Sequence, residues 1–461
     1  MVDATEGRSP ARMHQFEAAD VEIVLDYVRE RLALPEAPVD GLGDRTEIAH
    51  ALDGLITDEG RSVREVLDVY IDALADTILS ADSPRYYSFI PAAPTKASLL
   101  FDMVVSAASL QGCSWLEAAG AVAAEEQALR VMLDAAGMPS TAGGVFVSGG
   151  SAANLSALVV ARDMAPRRLG RSAPAGGWRV VVSDQSHSSV ARALSIVGMQ
   201  ALIVPTVDGQ LDDAALRAAL ADEDRIDDIA AIVATAGTTN AGIIDDLAAV
   251  SRWAAENNWW FHVDGAYGGA GLLVDRLRPR YVGIEHADSI AMDPHKWWFA
   301  PYDSAALLYR EPWQAAAVHT QQASYLDVIH EDNEGLNPSD LAYHLTRRPR
   351  GMPLWFSLAV NGLQAYREAV ERGLELAAYA ADAIAAHPRL QLVRRPDLSV
   401  VLFEREGWSL TDYERWSRSM LLNQTAFVAH SSWRGTPVGR LVFLHPGTTT
   451  AMIDEVLATL A

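Results

Sequence analysis

Two lysines occur in 461 residues, Lys96 and Lys296, and one of them stands where a lysine is costly. Lys296 closes the run Ile290-Ala291-Met292-Asp293-Pro294-His295-Lys296 and is followed by Trp297, Trp298 and Phe299. A lysine is almost never fully buried without a partner, so a rare lysine among aromatics needs a chemical reason. Imine formation supplies one: it removes the desolvation problem and provides the nucleophile that exchanges with an incoming amine. Lys96, beside Pro94 and Thr95, has the ordinary look of a surface or lid lysine.

Asp264 follows the apolar run Trp259-Trp260-Phe261-His262-Val263 and precedes Gly265-Ala266-Tyr267. Burial raises a carboxyl pKa unless a cation faces it, and a protonated ring nitrogen is such a cation. The same residue also reads as a loop Asp capping a turn. Ser148-Gly149-Gly150-Ser151 joins a strand to a helix expected over Ala152–Arg162. Glycines there let backbone approach an anion at the helix N-terminus, with the Ser151 hydroxyl as an extra donor. Taken alone, the segment reads equally as a strand–helix turn with Ser151 as N-cap. His187, in Ser183-Asp184-Gln185-Ser186-His187-Ser188-Ser189, is a structural hydrogen-bonder or a flat ring to cover one face of a planar group, with Ala266 suited to the other. Cys113 has no base nearby in sequence to make it a nucleophile.

These residues need a scaffold that brings distant segments together. Short β-branched runs at Val145–Val147, Val180–Val182, Leu202–Val204, Ile229–Ala234, Trp259–Val263, Ser289–Met292 and Ala305–Tyr309 alternate with Ala-rich helical stretches. That alternation predicts βαβ units and a mostly parallel sheet flanked by helices. Ligands collect at the carboxyl ends of such strands, where the polar segments above all fall. Residues 1–84 read as an N-terminal helical arm, with helices over Val21–Leu34 and Val63–Leu79. Residues 85–361 read as the large α/β domain and 362–461 as a small α+β domain with strands at Ser399–Phe403 and Arg440–Phe443.

The formal charge of −23, from 60 acidic and 37 basic residues, disfavours nucleic acid and anionic membranes as partners. A single cysteine excludes a disulfide framework within the chain and a multi-cysteine metal site, and fits a reducing cytoplasm; no metal is expected. Met1–Pro10 carries two acids and no apolar core, unlike a signal peptide. No apolar run approaches the ~20 residues of a membrane helix.

The ordered set Ser148-Gly149-Gly150-Ser151-Ala152-Ala153-Asn154, Ser183 to Ser189, His262-Val263-Asp264-Gly265-Ala266-Tyr267 and Asp293-Pro294-His295-Lys296-Trp297 resembles the group II pyridoxal-5'-phosphate (PLP) decarboxylases, across most of the chain. The resemblance implies a fold-type I, aspartate-aminotransferase-like homodimer with sites at the subunit interface, decarboxylating an L-amino acid, aromatic or hydrophobic by preference. It implies Lys296 as imine lysine, Asp264 as partner of the pyridine nitrogen, His187 stacked on the ring and Ala266 beneath it. Gly150, Ser151 and His295 match phosphate-side positions and Thr239 a threonine near the ring. An aminotransferase or another fold-type I enzyme shares this logic, and a catalytically dead scaffold is the non-enzyme alternative.

Two regions depart from the family pattern. Matching Arg347-Arg348-Pro349-Arg350 to the family's Arg-Arg-Phe-Arg type element puts Leu341 where a mobile-loop tyrosine donates the proton that replaces the lost carboxylate. Tyr343 substitutes if the loop register differs; otherwise His187 or a water protonates, or the carbanion meets dioxygen and an aldehyde results. In the substrate-pocket segment, Ser83 and Phe89-Ile90-Pro91-Ala92 match only partly, and Gln111 and Cys113 replace apolar bulk.

Overall fold

A strand whose two faces are both apolar can be stable only between two layers of helix, and that requirement organises this chain. The structure, a computed structural model, describes residues 12–14, 17–90, 93–330 and 335–461. The expected non-signal start Met1–Pro10, and Pro91 and Ala92 of the pocket segment, lie outside the described residues.

Seven strands form the large sheet: β1 (Gly143–Val147), β2 (Arg179–Ser183), β3 (Gln200–Val204), β4 (Ile229–Thr235), β5 (Trp260–Asp264), β6 (Ser289–Met292) and β7 (Ala305–Tyr309). Their order is β1-β7-β6-β5-β4-β2-β3, and only β7 runs against its neighbours. Every residue of β4 and β5 is buried. One face packs on helices that include Trp115–Ala135 and Leu247–Asn257, the other on Gly150–Leu169 and Ser188–Val197. All seven expected strands are present, and the helix expected over Ala152–Arg162 extends to Gly150–Leu169.

The smaller sheet, order β10-β11-β9-β8, is antiparallel and uses β8 (Leu390–Leu392), β9 (Val400–Arg405), β10 (Ala429–Trp433) and β11 (Thr436–Val442). The helix Met352–Ala386 breaks at Gly362, whose φ of +72° suits a residue without Cβ. The expected boundary at 84/85 cuts through a segment that the structure fastens to the small sheet. Tyr87 N–H donates to Phe427 O and Val442 N–H donates to Tyr87 O, at 2.8 and 3.1 Å. Thr448 Oγ1 caps the Pro84 carbonyl at 2.6 Å. In the arm, the expected helix over Val63–Leu79 is helical only as Val63–Val69, then widens and tightens in successive short turns to Thr77.

Candidate active site

Lys296 leaves the end of β6 on a tight turn. Its N–H donates to the Asp293 carbonyl at 2.9 Å, and Pro294 fixes the turn between them. Trp297 and Trp298 are buried beyond it, Trp297 stacked on Tyr267 at 5.4 Å, so the two tryptophans anchor the turn in the core. Nζ lies 2.9 Å from Asp293 Oδ2. Burial alone would lower this lysine's pKa, but Asp293 and then Asp264 more than compensate and hold it above its ordinary value.

Asp264 is the last residue of β5 and is 5% exposed. It accepts from Asn154 Nδ2 at 2.9 Å and from the Ala266 N–H at 3.2 Å, both neutral donors. Because a carboxylate only accepts, the Asn154 amide must turn its nitrogen toward Asp264, and its oxygen then takes a proton from His262 Nε2 at 2.9 Å. His262 Nδ1 accepts from Ser289 Oγ, and Trp260 Nε1 donates to the same oxygen, each at 2.8 Å. Burial pushes His262 down to about 4, so the neutral tautomer this chain requires is the stable one. The other Asn154 Nδ2 proton goes to Ser189 Oγ at 3.0 Å. Ser189 gives its hydroxyl proton and its N–H to His187 Nδ1, at 2.8 and 3.2 Å. His187 therefore carries its proton on Nε2.

The first turn of Gly150–Leu169 closes the opposite wall. Gly149 is the N-cap and no side chain caps it, so Ser151 sits inside the helix with its hydroxyl exposed rather than serving as cap. A Cβ on Gly150 would fall 2.9 Å from Asp293 Oδ2 and 3.1 Å from the Ala266 Cβ. His295 Nδ1 accepts from the Ser304 N–H at 3.1 Å and turns Nε2 toward Asp293 Oδ2, 3.5 Å away. Burial lowers its pKa.

A cavity of about 260 Å³ is lined by Gly150, Ser151, His187, Thr239, Asp264, Ala266, His295 and Lys296, eight of the nine residues singled out from sequence, together with Asn154 and Asp293. The ninth, Tyr343, is not among its lining residues. Its side chain is half exposed beside His344, and its N–H reaches Ser156 Oγ at 3.4 Å. Leu341 is not a loop residue over the site. It is 5% exposed in the core cluster of Val147, Ala153 and Ala157. The turn before it is tied down by Asn337 Oδ1 on Trp115 N–H and by Thr320 Oγ1 on Asp340 Oδ1, at 2.9 and 3.0 Å. Arg347 is likewise structural and buried, its Nη2 donating to both Glu125 carboxylate oxygens at 2.8 and 2.7 Å. Gln111 and Cys113 bond to Glu117 and do not line the cavity.

Asn154, His262, Ser289 and Asp293 do not stand out individually in the sequence. Two signals were present: His262 lies two residues before Asp264 on the same strand face, and Asp293 one turn before Lys296.

Residues 47–406 match the pyridoxal-dependent decarboxylase conserved domain. The chain belongs to the pyridoxal-dependent decarboxylase family. It is 27% identical to an aromatic-L-amino-acid decarboxylase of Bacillus atrophaeus, over 97% of this chain and 95% of that one. It is 32% identical to an L-2,4-diaminobutyrate decarboxylase of Rhizobium meliloti (strain 1021), over 78% and 74%. The crystal structure of Oryza sativa TDC with PLP and tryptamine superposes with a TM-score of 0.89 at 24% identity, over 97% and 98%.

This is a PLP-dependent carboxy-lyase of fold type I acting on an amino acid. The cavity fits the cofactor: it offers free N–H groups at a helix start, a glycine, Gly150, where a Cβ would intrude, a lysine, and a buried carboxylate bonded only to neutral donors. When bound, PLP supplies an electron-withdrawing ring that delocalises the electron pair left at the substrate Cα.

Proposed function

We propose that the substrate is an L-amino acid with an aromatic or hydrophobic side chain, and that the product is the corresponding amine and CO₂. Lys296 is the imine lysine. Asp264, its orientation fixed by Asn154 and His262, would hold the ring nitrogen of bound PLP protonated. PLP bound in the cavity would be held by Gly150, Ser151 and His295 on its phosphate side and by His187, Ala266 and Thr239 around its ring. The observation that carries this reading is the lysine and the buried carboxylate on one cavity wall, Lys296 and Asp264, contributed by adjacent strands β6 and β5. A second opening shares His187 and Thr239 with the cavity; its lining is mostly polar, Gln185, Asn240 and Arg440 among it, and Phe89, 62% exposed, is the large apolar side chain it offers to a substrate.

The working unit is a homodimer in the cytoplasm. In support, the helix Lys96–Ala107 leaves Leu100 and Val104 about half exposed, and Val21 and Val24 of the arm are similarly open. Among the described residues no helix is long and apolar enough to cross a membrane. The small domain begins at 362, where the connecting helix breaks.

One observation favours a second product. Neither Leu341 nor Tyr343 lines the cavity, so without another donor the carbanion is open to dioxygen, giving aldehyde, ammonium and peroxide. Incubating the holoenzyme with a panel of amino acids and measuring CO₂, amine, aldehyde and peroxide together tests both readings. Equal CO₂ and amine from an aromatic or aliphatic substrate is the expected result. Transfer of the amino group to a keto acid without CO₂, or a colourless protein that takes up no PLP, would contradict it.

A further inference from the structure

Release of an amine requires that a proton return to Cα, and among the described residues that line the cavity Lys296 is the one lysine or arginine. Leu341 is in the core and Tyr343 lies outside the lining. His187 Nδ1 is taken up by the Ser189 hydroxyl and N–H. Lys296 remains. Its Nζ is 2.9 Å from Asp293 Oδ2, and that carboxylate is 2% exposed. Asp293 Oδ1 is buried with no hydrogen-bond partner among the described residues, leaving the carboxylate's charge to Lys296 and, more weakly, to His295. The groups that act on Lys296 are Asp293, Asp264 and Tyr302, with His295 on the far side of the same carboxylate.

We propose that Asp293 is a further catalytic residue: it holds Lys296 as an ammonium whenever the amine is free, and that ammonium protonates the substrate Cα after CO₂ departs. The inference rests on Lys296 being the imine lysine. As substrate and lysine exchange, the proton of the substrate ammonium passes to Nζ, which docks on Asp293. Cleavage of the Cα–carboxylate bond leaves its electron pair at Cα. That pair forms the new C–H bond with a proton from Nζ, while the N–H electrons stay on nitrogen. Lys296 is then a neutral amine, the nucleophile needed to displace the product, and Asp293 ends as the carboxylate it began as. No oxidant is consumed.

The test is Asp293→Asn, with Asp293→Ser as a second charge-removing variant should the first fold poorly. Apoprotein is mixed with PLP across a pH series, and the rate of imine absorbance is followed. Only the neutral amine attacks, so the wild-type rate should climb at alkaline pH. Loss of Asp293 should move the midpoint down by a pH unit or more. In turnover by the loaded variant, amine formation should fall at least tenfold and the aldehyde share per CO₂ should rise. Superimposable pH profiles in wild type and variants would overturn the proposal. So would amine formation that survives Asp293→Asn but collapses in Tyr343→Phe. Lys296→Ala separates the two levels: an imine that persists there overturns the lysine reading and this proposal together, whereas loss of the imine there with unchanged Asp293 variants removes only the role of Asp293.

Discussion

Lys296 and Asp264 stand out in the sequence because each breaks a local rule, a lysine among aromatics and a carboxylate at the end of a buried strand. The residues that orient them follow no such rule. Asn154 sits in a helix, His262 and Ser289 on neighbouring strands, and their bonds join positions 108 and 27 residues apart. Only the folded sheet makes them one network. Asp264→Asn should keep PLP but let the ring nitrogen lose its proton, with turnover falling about 10²–10³-fold, as for other preorganised electrostatic groups. Turnover within threefold of wild type would show that another group serves the nitrogen. His262 gives a pH test. Its folded pKa, about 4, lies below the ordinary value of 6.5, so its contribution to stability is full above 6.5 and is lost as pH falls toward 4. His262→Asn should therefore flatten the decline of Tm between those two pH values, and an undiminished slope would place the acid lability elsewhere.

At the scale of elements, the period of the apolar pattern located every strand of the large sheet, because each is a short run bounded by turn residues. In the small domain, Leu390–Leu392 is three residues long and Ala429–Trp433 carries two serines and a histidine, so neither presents an apolar run to find. The segment before Arg347 misled for another reason. Register counted back from the arginines ignores that Asn337 and Asp340 pin a turn, which directs Leu341 inward. Leu341→Tyr would thus add bulk and a hydroxyl to a packed core. It should lower stability by about 1–3 kcal/mol, visible as a reduced Tm, without raising the amine share. An unchanged Tm with more amine would return Leu341 to the cavity. Arg347 and Glu125 form a fully buried pair, so Arg347→Met should cost about 3–5 kcal/mol through the stranded carboxylate. Glu125→Gln in the same background should recover part of that loss, and no recovery would point to another cause.

For the whole molecule, the two sheets and the tie of Ser83–Tyr87 to the small one set how the wall carrying Lys296 meets the opening lined by Phe89 and His187. That tie was invisible in sequence because it joins segments more than 300 residues apart, with backbone hydrogen bonds from Tyr87 to Phe427 and Val442 at its centre. Everything nevertheless depends on one covalent assignment, and the composition makes it unusually easy to decide. With Lys96 and Lys296 the only lysines, borohydride reduction of the holoenzyme followed by peptide mass mapping has few outcomes. One equivalent of phosphopyridoxyl group is expected on the peptide containing Lys296 and none on that containing Lys96. A label on Lys96, or on neither lysine in a protein that retains full activity, would contradict it.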